Sequence, residues 1–234
     1  FGGGVVLADV GDAFFVGALT MGFAAAVPFT VFGTVGCINA LNMVDGIDGL
    51  SGTIAAGTLA LIALVAGLGG DGATFLLALC LLGGVLGFLW FNLRFGDQLR
   101  ARVFMGDNGS MTLGLLLCWL LITITQGPNA LVPPIVALWI FALPLVDTLS
   151  VMFRRMWMGK SPFSPDRNHL HHLLQRAGFR VENTVGIMGT LHFALGATGI
   201  AGAWLGVPEG VLAIGWLLVF LAYFRLTARP WRFV

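Results

Sequence analysis

S-G-T-I-A-A-G-T-L-A-L-I-A-L-V-A-G-L-G, residues 51–69, carries no charged side chain and consists of small and aliphatic residues. A helix needs about 20 mainly apolar residues to cross a bilayer, and this stretch supplies one crossing. Six more stretches pass the same test, near 14–37, 73–92, 110–126, 131–152, 185–205 and 209–227. Pro28 and Pro144 fall inside two of them and are expected to kink them, because proline removes a backbone donor. Of 234 residues, 58% are hydrophobic and 10% charged, with a mean hydropathy of +0.94; soluble domains carry about 25% charged residues. The sequence therefore reads as all-α, a polytopic membrane protein with about seven transmembrane helices, the whole of 1–234 forming one integral membrane domain in the lipid bilayer. The net charge of +1 gives no reason to expect a nucleic-acid partner. Cys37, Cys80 and Cys118 lie in apolar segments without metal spacing and read as small buried hydrophobes. No charged n-region precedes a short apolar segment, so no signal peptide is expected, and an opening Phe1 suggests a fragment. No internal repeat is apparent.

Working outward from that span, the chain just before it reads N-A-L-N-M-V-D-G-I-D-G-L-S-G, residues 39–52. Asn42, Asp45 and Asp48 recur at intervals of three, and each Asp is followed by a glycine, Gly46 or Gly49, that lets the backbone turn tightly. A lone D-G pair would be an ordinary turn. Two carboxylates at a membrane edge are costly unless paired, hydrated or bound to a cation, so the doubled pattern reads as functional.

Basic residues set the orientation. Arg94, Arg100 and Arg102 share one loop; Arg154, Arg155, Lys160, Arg167, Arg176 and Arg180 share another; Arg225, Arg229 and Arg232 lie in the tail. They are all 12 Lys and Arg of the chain. Seven crossings put the three groups on one side, which the positive-inside rule makes cytoplasmic. The opposite loops hold only the acids Asp9, Asp12, Asp71 and Glu209. Residues 39–50 are expected as a cytoplasmic loop, and every chemically interesting loop faces the same way.

A second acidic loop, V-F-M-G-D-N-G-S, residues 103–110, stands at the start of an apolar helix. Asp107 could cap that helix by accepting free backbone N–H groups. The alternative is a magnesium-and-phosphate arrangement: Arg94 and Arg102, with Asn108, sit in the same region, and hard oxygen ligands suit Mg²⁺ completed by substrate phosphates. A third constellation is S-P-F-S-P-D-R-N-H-L-H-H-L-L, residues 161–174, with His169, His171 and His172 clustered beside Arg167. Its prolines exclude a continuous helix, so Asp166 or Asn168 could begin a short one, placing His169 and His172 on one face and His171 off it. Zinc would want further ligands at suitable spacing, and none is evident. Imidazoles beside Arg167 could bind phosphate oxygens or move a proton near neutral pH. Asp147, near a helix end, is expected to be paired or hydrated, serving structure or function. His192, alone in a helix, reads as a satisfied core histidine, and Arg225, Arg229, Trp231 and Arg232 as an interfacial anchor.

In order and position, the three loops resemble cytoplasmic motifs of the polyprenyl-phosphate N-acetylhexosamine-1-phosphate transferases. The histidine segment is most similar to the bacterial UDP-GlcNAc:undecaprenyl-phosphate GlcNAc-1-phosphate transferases that begin O-antigen and related glycans. The UDP-MurNAc-pentapeptide branch has a different histidine motif. The resemblance implies an enzyme of the bacterial inner membrane whose substrates are a UDP-N-acetylhexosamine and undecaprenyl phosphate, with UMP released. It implies Mg²⁺ as cofactor, Mn²⁺ being the other candidate, held by Asn42 and Asp107. Asp45 and Asp48 would orient the metal's waters or the nucleotide sugar, and His169, His171, His172 and Arg167 would bind the sugar or phosphate side. A homo-oligomer is compatible with the pattern. The family also carries a paired-Asp motif and several helices upstream, so the chain resembles the C-terminal two-thirds of a ten- or eleven-helix enzyme. Two other classes compete: a transporter or flippase, which should place charges near the bilayer midplane, and an inactive scaffold homologue.

Overall fold

The computed structural model describes residues 5–161 and 169–227. Nine helices form among these residues: α1 (Phe23–Val44), α2 (Leu50–Leu68), α3 (Gly72–Asn92), α4 (Gly106–Thr125), α5 (Pro134–Ile140), α6 (Ala142–Trp157), α7 (Leu170–Arg176), α8 (Val181–Trp204) and α9 (Glu209–Thr227). No strand forms among them; an isolated antiparallel bridge pairs Asp9 with Thr20. Six helices are long and apolar enough to cross a membrane, and α5 with α6 makes a seventh, bent span. The chain is a multi-pass membrane protein.

Two expected spans sit differently. The first helix runs over Phe23–Val44 instead of 14–37. Residues 5–22 instead form an irregular arm, which enters a left-handed conformation at Phe15 (φ 58°) and Gly17 (φ 89°). Polar side chains far along the chain hold this arm: Leu7 N–H donates to Thr30 Oγ1 at 2.9 Å, and Ala8 and Asp9 N–H groups donate to Gln126 Oε1 at 3.1 and 2.9 Å. The shift carries Asn39 and Asn42 into the last turns of α1, so the loop expected over 39–50 shrinks to the turn between Val44 and Leu50. The helix passes through Pro28 without ending.

The span expected over 131–152 breaks at Phe141, with its halves at 82°. Pro144 is the cause. It cannot donate to the carbonyl four residues back, and its ring crowds that carbonyl. Three residues into a new helix it is tolerated, because the first-turn N–H groups have no intrahelical partner anyway. The chain restarts as α6 where a kink was expected.

The core centres on α2. Two thirds of its most apolar window (67%) is buried inside the bundle, against 22% for α1, α3 and α9. Small residues on α2, such as Ala55, Ala63 and Ala66, allow close helix contacts. A buried polar contact ties α2 to α8: Thr58 Oγ1 lies 3.0 Å from His192 Nε2 and also donates to the Ile54 carbonyl of its own helix at 3.0 Å. At the α1–α4 crossing, a Cβ built on Gly114 would lie 2.9 Å from Ile38 Cα, so the two backbones are in direct contact.

Candidate active site

The C-terminal end of α1 and the N-terminal ends of α2 and α4 meet at one end of the bundle. Asn42, in the last turn of α1, donates through Nδ2 to Asp107 Oδ1 at 3.1 Å and to Ser110 Oγ at 2.9 Å. Asp107 lies in the first turn of α4, but no side chain caps that helix. Its carboxylate is turned to another helix, and the capping reading fails. Asp45 ends α1, its N–H donating to the Asn42 carbonyl, and its Oδ1 accepts from Ser51 Oγ at 2.5 Å. Burial raises the Asp45 carboxyl above its ordinary range; the Ser51 hydrogen bond opposes this and the Asp107 charge adds to it. Two carboxylates thus share one small region, with no ion pair to either among the described residues.

Asp48 is built differently. Its Oδ2 accepts from Arg94 Nε at 2.8 Å and from the Ala101 N–H at 3.1 Å. One residue on, the Gly49 N–H donates to Asn92 Oδ1 at 2.7 Å, and Asn92 Nδ2 donates to the Val103 carbonyl at 2.7 Å. These contacts fasten the loop between α3 and α4 across the turn. Gly49 sits at φ 86°, where a Cβ would be strained. Arg102 and Asn108 are exposed beside this loop.

The histidine segment closes over the same turn. A Cβ on Gly46 would come 2.6 Å from His171 Nε2, so the imidazole rests on the glycine backbone. His171 is stacked on His169 (centroids 5.8 Å apart, planes at 7°) and touches the ring of His172 (4.1 Å). The expected pairing of His169 with His172 on one helical face does not occur. His169 precedes α7 as its N-terminal flanking residue, and His171 is the buried ring between the other two. Arg167, Asp166 and Asn168 lie outside the described residues.

Beneath His169 is a network that sequence left undecided. Asp147, fully buried on α6, accepts through Oδ2 from His169 Nδ1 at 2.8 Å. Its Oδ1 accepts from Tyr223 O–H at 2.5 Å and from the Leu170 N–H at 3.2 Å. Tyr223 is the only tyrosine of the chain, and an isolated phenol in an apolar helix was the available signal. Ser51, Ser110 and Asn92 carry no sequence signal that sets them apart from ordinary polar residues; only their contacts single them out.

The sequence profile of Glycosyl transferase family 4 matches residues 1–125, more than half of the chain. The chain belongs to glycosyl transferase family 4. Undecaprenyl-phosphate alpha-N-acetylglucosaminyl 1-phosphate transferase of Escherichia coli (strain K12) is 38% identical over 165 residues, 69% of this chain and 45% of the relative. The protein of that name from Yersinia pestis is 42% identical over 134 residues, 57% of this chain and 37% of the relative. The one from Pasteurella multocida is 38% identical over 156 residues, 66% and 43%. The chain spans less than half the length of these relatives. The family profile covers Asp45, Asp48 and Asp107; His169, His171 and Asp147 lie beyond it.

Among the described residues of this family 4 chain, no three His, Cys, Asp or Glu groups converge to hold a metal ion by themselves. Asp45 and Asp107, beside the Asn42 amide and the Ser110 hydroxyl, form a partial set of hard oxygen donors. Such a set suits a cation that keeps several waters and takes its other ligands from substrate phosphates, as Mg²⁺ does.

His171 makes a stability prediction. Neither ring nitrogen has a hydrogen-bond partner among the described residues. Burial pushes its imidazole from 6.5 down to about 4, with His172 adding to the shift and Asp147 opposing it. The folded protein then takes up this proton near 4 and the unfolded chain near 6.5. Stability is complete above the higher value and falls as pH drops toward the lower, by on the order of 3 kcal/mol. Thermal unfolding in detergent should show that loss between those values, and His171→Asn should flatten it. An identical pH slope in wild type and variant would refute the assignment.

Proposed function

We propose that the protein transfers N-acetylglucosamine 1-phosphate from UDP-N-acetylglucosamine to undecaprenyl phosphate at the cytoplasmic face of a bacterial inner membrane. A phosphate oxygen of the lipid attacks the sugar-linked phosphorus, and the bond from that phosphorus to the oxygen of UMP breaks. The observation that carries the reading is the Asn42–Asp107 hydrogen bond, which brings the two acidic loops to one helix end with His171 lying on Gly46. The names of the relatives and the family membership support it.

The residues suit this chemistry. A lipid phosphate monoester, with its second pKa near 6, is largely ionised at neutral pH, so the main requirements are positioning and neutralisation of charge. Asp45 and Asp107 would hold Mg²⁺, with Asn42 fixing the Asp107 carboxylate; the ion supplies neutralisation of the phosphate oxygens. Asp48 would act by fastening the Arg94 loop over the turn. An apolar groove of about 410 Å³ beside the first turns of α4, lined by Val85, Phe88, Phe104, Met105 and Leu113, offers lodging for the first isoprene units. Met105 Sδ lies 3.8 Å from Ser51 Oγ, the hydroxyl bonded to Asp45, so groove and carboxylates adjoin. Asp45 and Asp107 stand at helix ends and Asp48 in the turn between α1 and α2, unlike the midplane charges of a transporter.

The test is a transfer assay with full-length protein, undecaprenyl phosphate and radiolabelled UDP-N-acetylglucosamine. Label should pass to the lipid fraction, and EDTA should abolish it, with Mg²⁺ restoring it. Transfer unaffected by EDTA would remove the metal from the proposal; no transfer would refute the activity.

A further inference from the structure

We infer that Asp147 and Tyr223 are positioning residues that fix the tautomer of His169, holding its proton on Nδ1 and leaving Nε2 as the lone pair offered to the donor substrate; this rests on the transferase reading above.

The argument starts from hydrogen-bond accounting. Asp147 is wholly buried, and among the described residues its hydrogen bonds come from an imidazole nitrogen, a phenol O–H and a backbone N–H. The Leu170 N–H can only donate, and it points at Oδ1. Tyr223 O–H, at 2.5 Å, donates to the same oxygen. A carboxylate ion, an acceptor on both oxygens, satisfies all three; an acid O–H on Oδ2 donating to a bare Nδ1 is the less favourable arrangement, because imidazole is a stronger base than carboxylate and takes the shared proton. Oδ2 is therefore an acceptor facing His169 Nδ1 at 2.8 Å, and Nδ1 must carry hydrogen. In neutral imidazole that leaves Nε2 bare. Among the described residues, the other titratable and charged groups here are His171, stacked on this ring, and His172 against His171, both on α7; Arg154 on α6, whose Nη1 donates to the Thr227 carbonyl at 2.8 Å, lies on the Tyr223 side.

The three partners come from α6, the start of α7 and α9, so the contact could simply tie helices together. Asparagine at 147 separates the two roles. Leu170 and Tyr223 hold the amide oxygen at the Oδ1 position, which turns the amide NH₂ toward His169 Nδ1. The ring must then accept at Nδ1 and carry its proton on Nε2. The fold keeps its bonds, and the tautomer reverses.

The experiment uses full-length protein labelled with ¹⁵N-histidine in lipid nanodiscs. The chain has four histidines, and the spectrum of His169→Gln assigns the resonance of interest. Wild type should show His169 protonated on Nδ1, and Asp147→Asn should show it protonated on Nε2. Transfer by Asp147→Asn should lose about 10–100-fold in kcat, with KM for UDP-N-acetylglucosamine within about twofold. Tyr223→Phe should keep the wild-type tautomer, since Leu170 still holds Oδ1, and lose no more than about fivefold in rate. Wild-type His169 protonated on Nε2 would overturn the inference even if Asp147→Asn failed to fold. Full kcat in Asp147→Asn with a reversed tautomer would also overturn it. The expected tautomers in a protein that transfers nothing would refute the transferase reading and leave the assignment of Asp147 and Tyr223 to the ring intact.

Discussion

Replacing Asp107 by Asn is expected to lower the transfer rate by roughly 10²–10³-fold, the range seen when a single charge-stabilising group is removed from a preorganised site. Asparagine matches aspartate in shape, and its carbonyl can still accept from Asn42 Nδ2, now at 3.1 Å. Asp107 caps nothing, so α4 should insert and pack as before. What disappears is one negative charge. A second consequence follows: Asp45, whose carboxyl is raised in part by the Asp107 charge, should ionise more readily in the variant. Steady-state transfer with saturating Mg²⁺, checked against membrane yield, measures the first effect. Turnover close to wild type would remove Asp107 from the site.

The next largest effect is expected far from the chemistry. Gly114→Val should destabilise the protein by about 1–3 kcal/mol and slow transfer by about 10²-fold, the cost of displacing reacting groups by roughly 1 Å. A Cβ at this position meets Ile38 Cα at 2.9 Å and the Cys37 and Ile38 carbonyls at 3.4 Å. All three are backbone atoms, which cannot rotate away, so α1 and α4 must separate. Gly114 stands two turns, about 10 Å, along α4 from Asp107, and Ile38 one turn before Asn42. Spreading the crossing therefore pulls Asn42 away from Asp107 and Ser110. Gly186→Ala is the control, since a Cβ there meets nothing within 4 Å, and about wild-type behaviour is expected. Thermal unfolding and transfer rates of both variants decide it; a Gly114→Val protein as stable and active as Gly186→Ala would refute the account.

The spans were legible wherever length and apolarity alone decide the structure. Residues 51–69 became α2 almost to the residue, because a long uncharged run in lipid has no better way to satisfy its backbone. Phe14–Gly22 is largely apolar yet stays irregular: it bonds back onto the preceding residues (Leu19 N–H to the Gly11 carbonyl, Met21 N–H to the Ala8 carbonyl), and Thr30, Gln126 and Glu209 in turn hold Leu7, Asp9 and Asp12 from up to 197 residues away. No local pattern carries that information. Pro144 announced a disturbance in the fifth span, but whether proline kinks a helix or restarts one depends on how the flanking halves pack. Within the site, Asn42, Asp45 and Asp107 were visible as unusual residues at a membrane edge. Their division of labour was not. Asp48 and Arg94 are 46 positions apart and Asp147 and Tyr223 are 76 apart, and only folding shows which acid is clamped and which is open. His171, and not His172, packs beside His169 because the helix begins only at Leu170, so helical spacing does not relate His169 to the two that follow.

The contact between Thr58 and His192 has a consequence for biosynthesis. The two residues are 134 positions apart. At about 5–20 residues per second, α2 waits roughly 7–27 s after synthesis before its partner on α8 exists. During that interval the most interior helix of the finished bundle faces lipid or the insertion machinery. Its threonine tolerates this because the hydroxyl is already bonded to the Ile54 carbonyl of the same helix, leaving no bare donor in hydrocarbon. The nascent helix can thus be released into the bilayer early and recruited later, with assembly order written into a bond that is satisfied twice.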